Sequence, residues 1–108
     1  MDEKTRVDII AAAVEHFGPI HQMLKTVEEA GELQRAIARV ITKAQEHPDE
    51  DELPEGVVEN LIEEIADAWI MINQMTLILG VDVVTAEENR KLRRLAERMG
   101  MDIGEDAP

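Results

Sequence analysis

The sequence predicts an all-α protein, a four-helix, bundle-like arrangement completed by association of copies. Three observations predict it. Apolar residues recur at spacings of three and four over long stretches. Proline and glycine interrupt that pattern at Gly18-Pro19, in the stretch from Pro48 to Gly56, at Gly80 and at Gly100. No segment alternates apolar and polar residues as a half-buried strand would.

The first helix is predicted from about Thr5 to His16, with Val7, Ile10, Ala11 and Val14 on one side. Gly18-Pro19 breaks it, and Pro19 suits the first turn of the next helix, where a missing N–H costs nothing. The second helix reads from Pro19 to about Glu46, with Met23, Val27, Ala30, Ile37, Val40, Ile41 and Ala44 as its apolar stripe. Residues 48–56 form an acidic loop. The third helix reads from about Val57 to Leu79 and stops at Gly80. Thr85-Ala86-Glu87-Glu88 has the form of a capping box opening a fourth helix that ends at Gly100. Residues 1–100 are thus expected to make one domain, with 101–108 as a flexible tail.

From Ile65 to Leu79 the third helix is apolar around nearly its whole circumference. A chain of 108 residues with four helices can hardly bury one of them on all sides. A partner copy is therefore expected to cover the remaining face, giving a homodimer or homotetramer.

Composition narrows the function classes. Phe17 and Trp69 are the only aromatics, so the core must be aliphatic. Without cysteine there is neither a disulfide framework nor a thiolate metal site, which fits the reducing cytoplasm expected for this chain. The charged start, Met1 to Arg6, has no apolar signal core behind it, and the run Ile65–Leu79, interrupted by Asp67, Asn73 and Gln74, is too short and polar to span a bilayer. A formal charge of −13 argues against a nucleic acid partner. The charges are segregated: Glu46 to Glu64 holds nine acidic residues and no Lys or Arg, whereas Arg90 to Arg98 holds five of the eleven basic ones. The acidic run reads mainly as a solvated loop and helix start.

Two acid pairs stand apart from that run. Glu29 and Glu32 are three apart on the second helix, with Glu28 four before Glu32, and Glu64 and Asp67 are three apart on the third. On helical wheels Glu29 borders the apolar stripe, and Glu64 and Asp67 head rows that continue into Ala68, Met71, Met75 and Ile78. Ionised carboxylates on an apolar face need compensation. One source is an ion pair to Lys25, Arg35 or Arg39. The other is a hard divalent cation, since two antiparallel helices each offering an i, i+3 acid pair create an oxygen cluster of the kind Mg²⁺ takes. A di-iron carboxylate site would need Glu-x-x-His pairs, which neither acid pair provides, and His16, His21 and His47 stand isolated. The acidic loop lacks EF-hand ligand spacing.

Glu28-Glu29-x-x-Glu32 followed by Glu64-x-x-Asp67 resembles the signature of the MazG-like all-α nucleoside triphosphate pyrophosphohydrolases. His21-Gln22-Met23-Leu24-Lys25-Thr26-Val27 is similar to the family's entry to the first acid motif, and the helix from Glu63 to Met75 is similar to that of short phage-type members. Asn89-Arg90-Lys91-Leu92-Arg93-Arg94-Leu95 resembles its closing basic element. The resemblance covers roughly residues 21–95, with a gap between the acid motifs longer than in compact members and the acidic loop as the insertion.

The resemblance implies cleavage between the α and β phosphates of a nucleoside triphosphate, giving monophosphate and pyrophosphate, as in nucleotide-pool house-cleaning. It implies Mg²⁺, with Mn²⁺ able to substitute, held by Glu29, Glu32, Glu64 and Asp67, and Glu28 as a water-orienting base or extra ligand. Lys91 and Arg94, three apart, would neutralise the triphosphate, and Lys25, Gln22, Asn89 and Trp69 would complete the substrate contacts. Trp69 has a second reading, as core. Two other functions fit: phosphoribosyl-ATP pyrophosphohydrolase, which shares the Lys25-x-x-Glu28-Glu29-x-x-Glu32 and Glu64-Ile65-Ala66-Asp67 patterns, and a non-catalytic acidic helical interaction protein.

Overall fold

A computed structural model describes residues 1–104. It is all-helical: α1 (Glu3–Phe17), α2 (Pro19–Glu46), α3 (Glu55–Leu79) and α4 (Val81–Arg98), with no strand among the described residues. The chain divides into two compact units, Met1–Met75 and the residues from Thr76 onward.

In the first unit, α1 starts two residues before the predicted Thr5. Asp2 caps it, its Oδ1 accepting the Thr5 backbone N–H at 2.8 Å. That bond favours the ionised carboxylate and holds the Asp2 carboxyl below its ordinary range. Gly18 adopts φ +90°, a conformation that suits glycine, and its N–H closes α1 on the Val14 carbonyl at 2.8 Å. Pro19 then opens α2, whose predicted span is the observed one. The acidic connection is a loop over residues 47–54, and α3 begins at Glu55, where the Pro54 carbonyl accepts the Val58 N–H at 3.2 Å.

α1 folds against α2 and contributes Ile10 to the interior. α2 and α3 run antiparallel, as two contacts establish. Gln22 Nε2 donates to Gln74 Oε1 at 2.8 Å, and seven residues further toward the loop on each helix Glu29 meets Asp67. Between and beyond these points lie Ala36, Val40, Ala68 and Met71, all buried.

The α2 stripe is corrected by the structure. The face that packs carries Gln22, Glu29, Leu33, Ala36 and Val40, whereas Val27 (71% exposed), Ala30, Ile37 and Ile41 lie in the open. α2 thus has two apolar stripes, and hydrophobic periodicity alone cannot say which one is covered within the chain. On α3, Ala68, Met71 and Gln74 face inward, and Ile62, Ile65, Trp69 and Ile72 form an outward seam at heptad spacing.

In the second unit Gly80, at φ +117°, does two things at once. Its N–H caps α3 on the Thr76 carbonyl at 2.9 Å, and its carbonyl accepts the Val84 N–H at 3.1 Å to start α4. α4 therefore begins at Val81, four residues before the predicted capping box, and no side chain caps it. Asp82 in the first turn complements the helix dipole instead. Thr85 lies inside the helix, and Glu87 pairs with Arg90 rather than capping. The other end is a Schellman closure, with Met101 N–H on the Ala96 carbonyl at 2.9 Å and Gly100 N–H, at φ +71°, on the Glu97 carbonyl at 3.1 Å. Residues 101–104 follow without regular structure, and the remainder of the expected tail, 105–108, lies outside the described residues.

Candidate metal centre

The antiparallel register of α2 and α3 brings Glu29, Glu64 and Asp67 together. One carboxylate oxygen from each lies within 4.8 Å of the other two. Glu29 and Glu64 are half-buried in the groove between the helices. Asp67 departs from expectation: it is exposed. α2 covers α3 on the side of Glu64, Ala68, Met71 and Gln74, and Asp67 sits at the rim of that contact rather than under it. The need for compensation at this position is therefore crowding among like charges rather than loss of water.

The electrostatics centre on Glu64. Its carboxyl is pushed above the ordinary range, first by removal from water and then by the negative charges of Glu32, Asp67, Glu29 and Glu63. Glu32 lies outside the group of three yet contributes charge to it. Among the described residues no cationic side chain lies within 4.0 Å of Glu64 or Asp67, whereas the flanking acids are paired. Lys25 Nζ is 3.2 Å from Glu29 and 3.6 Å from Glu28, and Arg35 is 3.4 Å from Glu32. Hydrogen bonding to Glu29 and the charges of both glutamates hold the Lys25 ammonium above its usual range. The ion-pair compensation considered from sequence thus reaches Glu29 and Glu32 and leaves Glu64 and Asp67 without it; Arg39 takes no part.

The other predicted site residues are spread more widely. Gln22 is interior, 4% exposed, its Nε2 donating to Gln74 and its Oε1 accepting from His21 Nδ1 at 2.8 Å. The neighbouring Phe17 ring stacks on His21 at 5.5 Å and meets His16 edge-on at 4.6 Å. Trp69 is 57% exposed on the outward seam of α3, which removes the core reading for the single chain. His47 lies 3.8 Å from Glu50 in the acidic loop. In the second unit Asn89 is half-buried, and Lys91 and Arg94 line an open cavity of about 270 Å³ with Leu95 and Arg98. Arg98 lies in the basic run Arg90 to Arg98. Its spacing from Lys91 and Arg94, seven and four residues, puts all three cations on one face of α4.

Gln74 was missed by sequence reasoning. The available signal was its place seven residues after Asp67, hence on the same row of α3, where a carboxamide in an apolar helix requires a partner. No family model, curated protein or solved structure matches this chain.

Proposed function

We propose that the chain is a divalent-cation-dependent nucleoside triphosphate pyrophosphohydrolase, acting on nucleotides in the manner of the MazG-like enzymes its acid motifs resemble. The observation that carries this reading is the convergence of Glu29, Glu64 and Asp67 from two helices, with no cation within 4.0 Å of Glu64 or Asp67 among the described residues and the Glu64 carboxyl raised first by removal from water and then by its like-charged neighbours. The donor set is all carboxylate oxygen, which fits Mg²⁺ or Mn²⁺ and does not fit a soft or imidazole-seeking metal.

Glu29, Glu64 and Asp67 are the residues that would hold the cation, and Glu32 adds a fourth negative charge beside them. A bound divalent cation would supply charge neutralisation to phosphate oxygens and acidify an attacking water. Glu28, exposed and next in sequence to Glu29, would take the proton of that water. Lys25 bridges Glu28 and Glu29 here and would exchange those carboxylates for a phosphate oxygen once positive charge occupies the cluster. Arg94 and Arg98, which line a cavity together with Lys91 and Leu95, offer cations of the kind a polyphosphate recruits.

The proposal includes association of copies. The outward seam of α3 (Ile62, Ile65, Trp69, Ile72) and the row Ile20, Leu24 and Val27 on α2 are exposed. Apolar side chains of that size gain about 1.5–3 kcal/mol each on burial. A second copy presenting the same apolar rows would be the occupant of this surface.

Pyrophosphate release from a panel of nucleoside triphosphates, with Mg²⁺ and with EDTA, tests this reading. Mg²⁺-dependent pyrophosphate and the matching monophosphate are expected from at least one of them. Exclusive turnover of phosphoribosyl-ATP in the same panel would move the assignment to that substrate. No turnover of any nucleotide would refute it.

A further inference from the structure

The second unit presents an open groove of about 590 Å³ along α4, lined by Leu79, Val83, Val84, Leu92 and Leu95 together with Glu87, Glu88 and Lys91. Four of the lining residues, Val84, Glu88, Lys91 and Leu95, follow at spacings of four, three and four, the repeat by which one helix packs along another. Read in either direction the stripe is apolar, charged, charged, apolar, and the two inner charges are opposite. Laid antiparallel on a second copy of itself, Val84 meets Leu95, Glu88 meets Lys91, Lys91 meets Glu88 and Leu95 meets Val84. A parallel overlay would instead set Glu88 on Glu88 and Lys91 on Lys91.

We propose that α4 pairs antiparallel with α4 of a second copy of this chain, about a two-fold axis between Asn89 and Arg90, with Glu88 and Lys91 of each copy forming reciprocal ion pairs across it. Such an isologous contact closes on itself. The stripe spans twelve residues, about 16 Å of helix from first to last. The partner groups are available. Glu88 has no ion pair among the described residues, and Lys91 has only a 3.9 Å contact to Glu87, on an exposed i, i+4 pair of little strength. The opposite face of α4, at Arg93, Ala96 and Glu97, lines a separate cavity with Met101, Ile103 and Gly104 of the same chain. The contact is distinct from the α2 and α3 seams of the first unit. Two isologous contacts of this kind on one chain build a closed tetramer when their axes cross at right angles.

Charge reversal with mixing tests the pairing, read by sedimentation velocity and independent of catalysis. Glu88→Lys leaves two positive charges on the stripe, and Lys91→Glu leaves two negative ones. Each variant alone sets like charges against like at both positions. The step of assembly held by α4 should weaken by on the order of tenfold or more in dissociation constant, with helical content unchanged by circular dichroism. An equimolar mixture of the two variants places positive against negative at both positions and should regain the wild-type mass. Unchanged mass in both single variants would overturn the proposal. So would loss of mass that mixing does not restore, the result expected if the groove is covered instead by the first unit of another copy. A change in helical content in either variant is met by the milder Glu88→Gln and Lys91→Gln, which should each weaken the same step; intact assembly in both would also overturn it.

Discussion

One buried amide pair spans α2 and α3 in the register that creates the carboxylate cluster. Gln22 and Gln74 are 4% and 2% exposed, and the 2.8 Å bond between them is their link across α2 and α3. Replacing Gln74 by Met, an unbranched side chain of similar size, leaves the Gln22 N–H group buried without an acceptor. Replacing Gln22 by Met leaves the Gln74 carbonyl without a donor and frees an exposed His21, a minor loss. Stranding a buried amide costs about 1–3 kcal/mol, whereas removing both partners together is close to neutral. Each single variant should therefore lose about 1–3 kcal/mol, a fall of roughly 4–20 °C in unfolding midpoint for a chain of this size. The double variant should return to within about 1 kcal/mol of wild type, a coupling of roughly 1–3 kcal/mol between the sites. Urea unfolding in EDTA at one fixed protein concentration measures it, since association also stabilises the folded state. Single losses that simply add in the double variant would refute the amide pair as the register lock.

Three further outcomes follow from the site and the surface. Asp67→Asn, at an exposed position, should leave metal-free stability unchanged or slightly improved while pyrophosphohydrolysis falls roughly a hundredfold or more, the scale of losing several kcal/mol of charge stabilisation; full activity at limiting Mg²⁺ would remove Asp67 from the site. Because the folded state raises the Glu64 carboxyl above its unfolded value of 4.5, the folded protein binds that proton more tightly, and metal-free stability should decline as pH rises from there through the raised value. Glu64→Gln should flatten that decline in pH-dependent melting curves, and an unchanged slope would contradict the raised Glu64 carboxyl. Trp69→Glu should shift the sedimentation profile toward smaller species without loss of helical content, and an unaltered profile would place the contact between copies elsewhere.

Much of the fold was legible because its punctuation is covalent. Pro19 and the Pro48–Pro54 stretch mark helix limits through proline's fixed φ and missing N–H, and α2 runs over its predicted span. The limits that were misplaced depend on hydrogen bonds that composition does not announce. Asp2 caps α1 through Thr5, and Gly80 alone separates two helices, so Val81 to Val84, a run rich in β-branched residues, enters α4 ahead of the Thr85 capping pattern. The acid pairs were legible from i, i+3 spacing, and their convergence needed only that α2 and α3 run antiparallel. What spacing could not reveal was depth. Asp67 falls on an apolar row of the helical wheel, yet the packed strip of α3 is narrow and Asp67 borders it. Likewise α2 carries two apolar stripes, and periodicity alone does not tell which of them, the one with Ala36 and Val40 or the one with Val27 and Ile41, is buried.

The most direct test of the account is a titration of Mg²⁺ or Mn²⁺ into EDTA-stripped protein, wild type against Asp67→Asn, followed by the thermal midpoint. A cation held by Glu29, Glu64 and Asp67 in the folded state alone stabilises it by about 2.7 kcal/mol at a hundredfold excess over its dissociation constant. That corresponds to a rise on the order of ten degrees or more. The account predicts this rise in the wild type and its loss in Asp67→Asn. An unmoved wild-type midpoint at millimolar Mg²⁺, with and without a non-hydrolysable nucleotide, would contradict it.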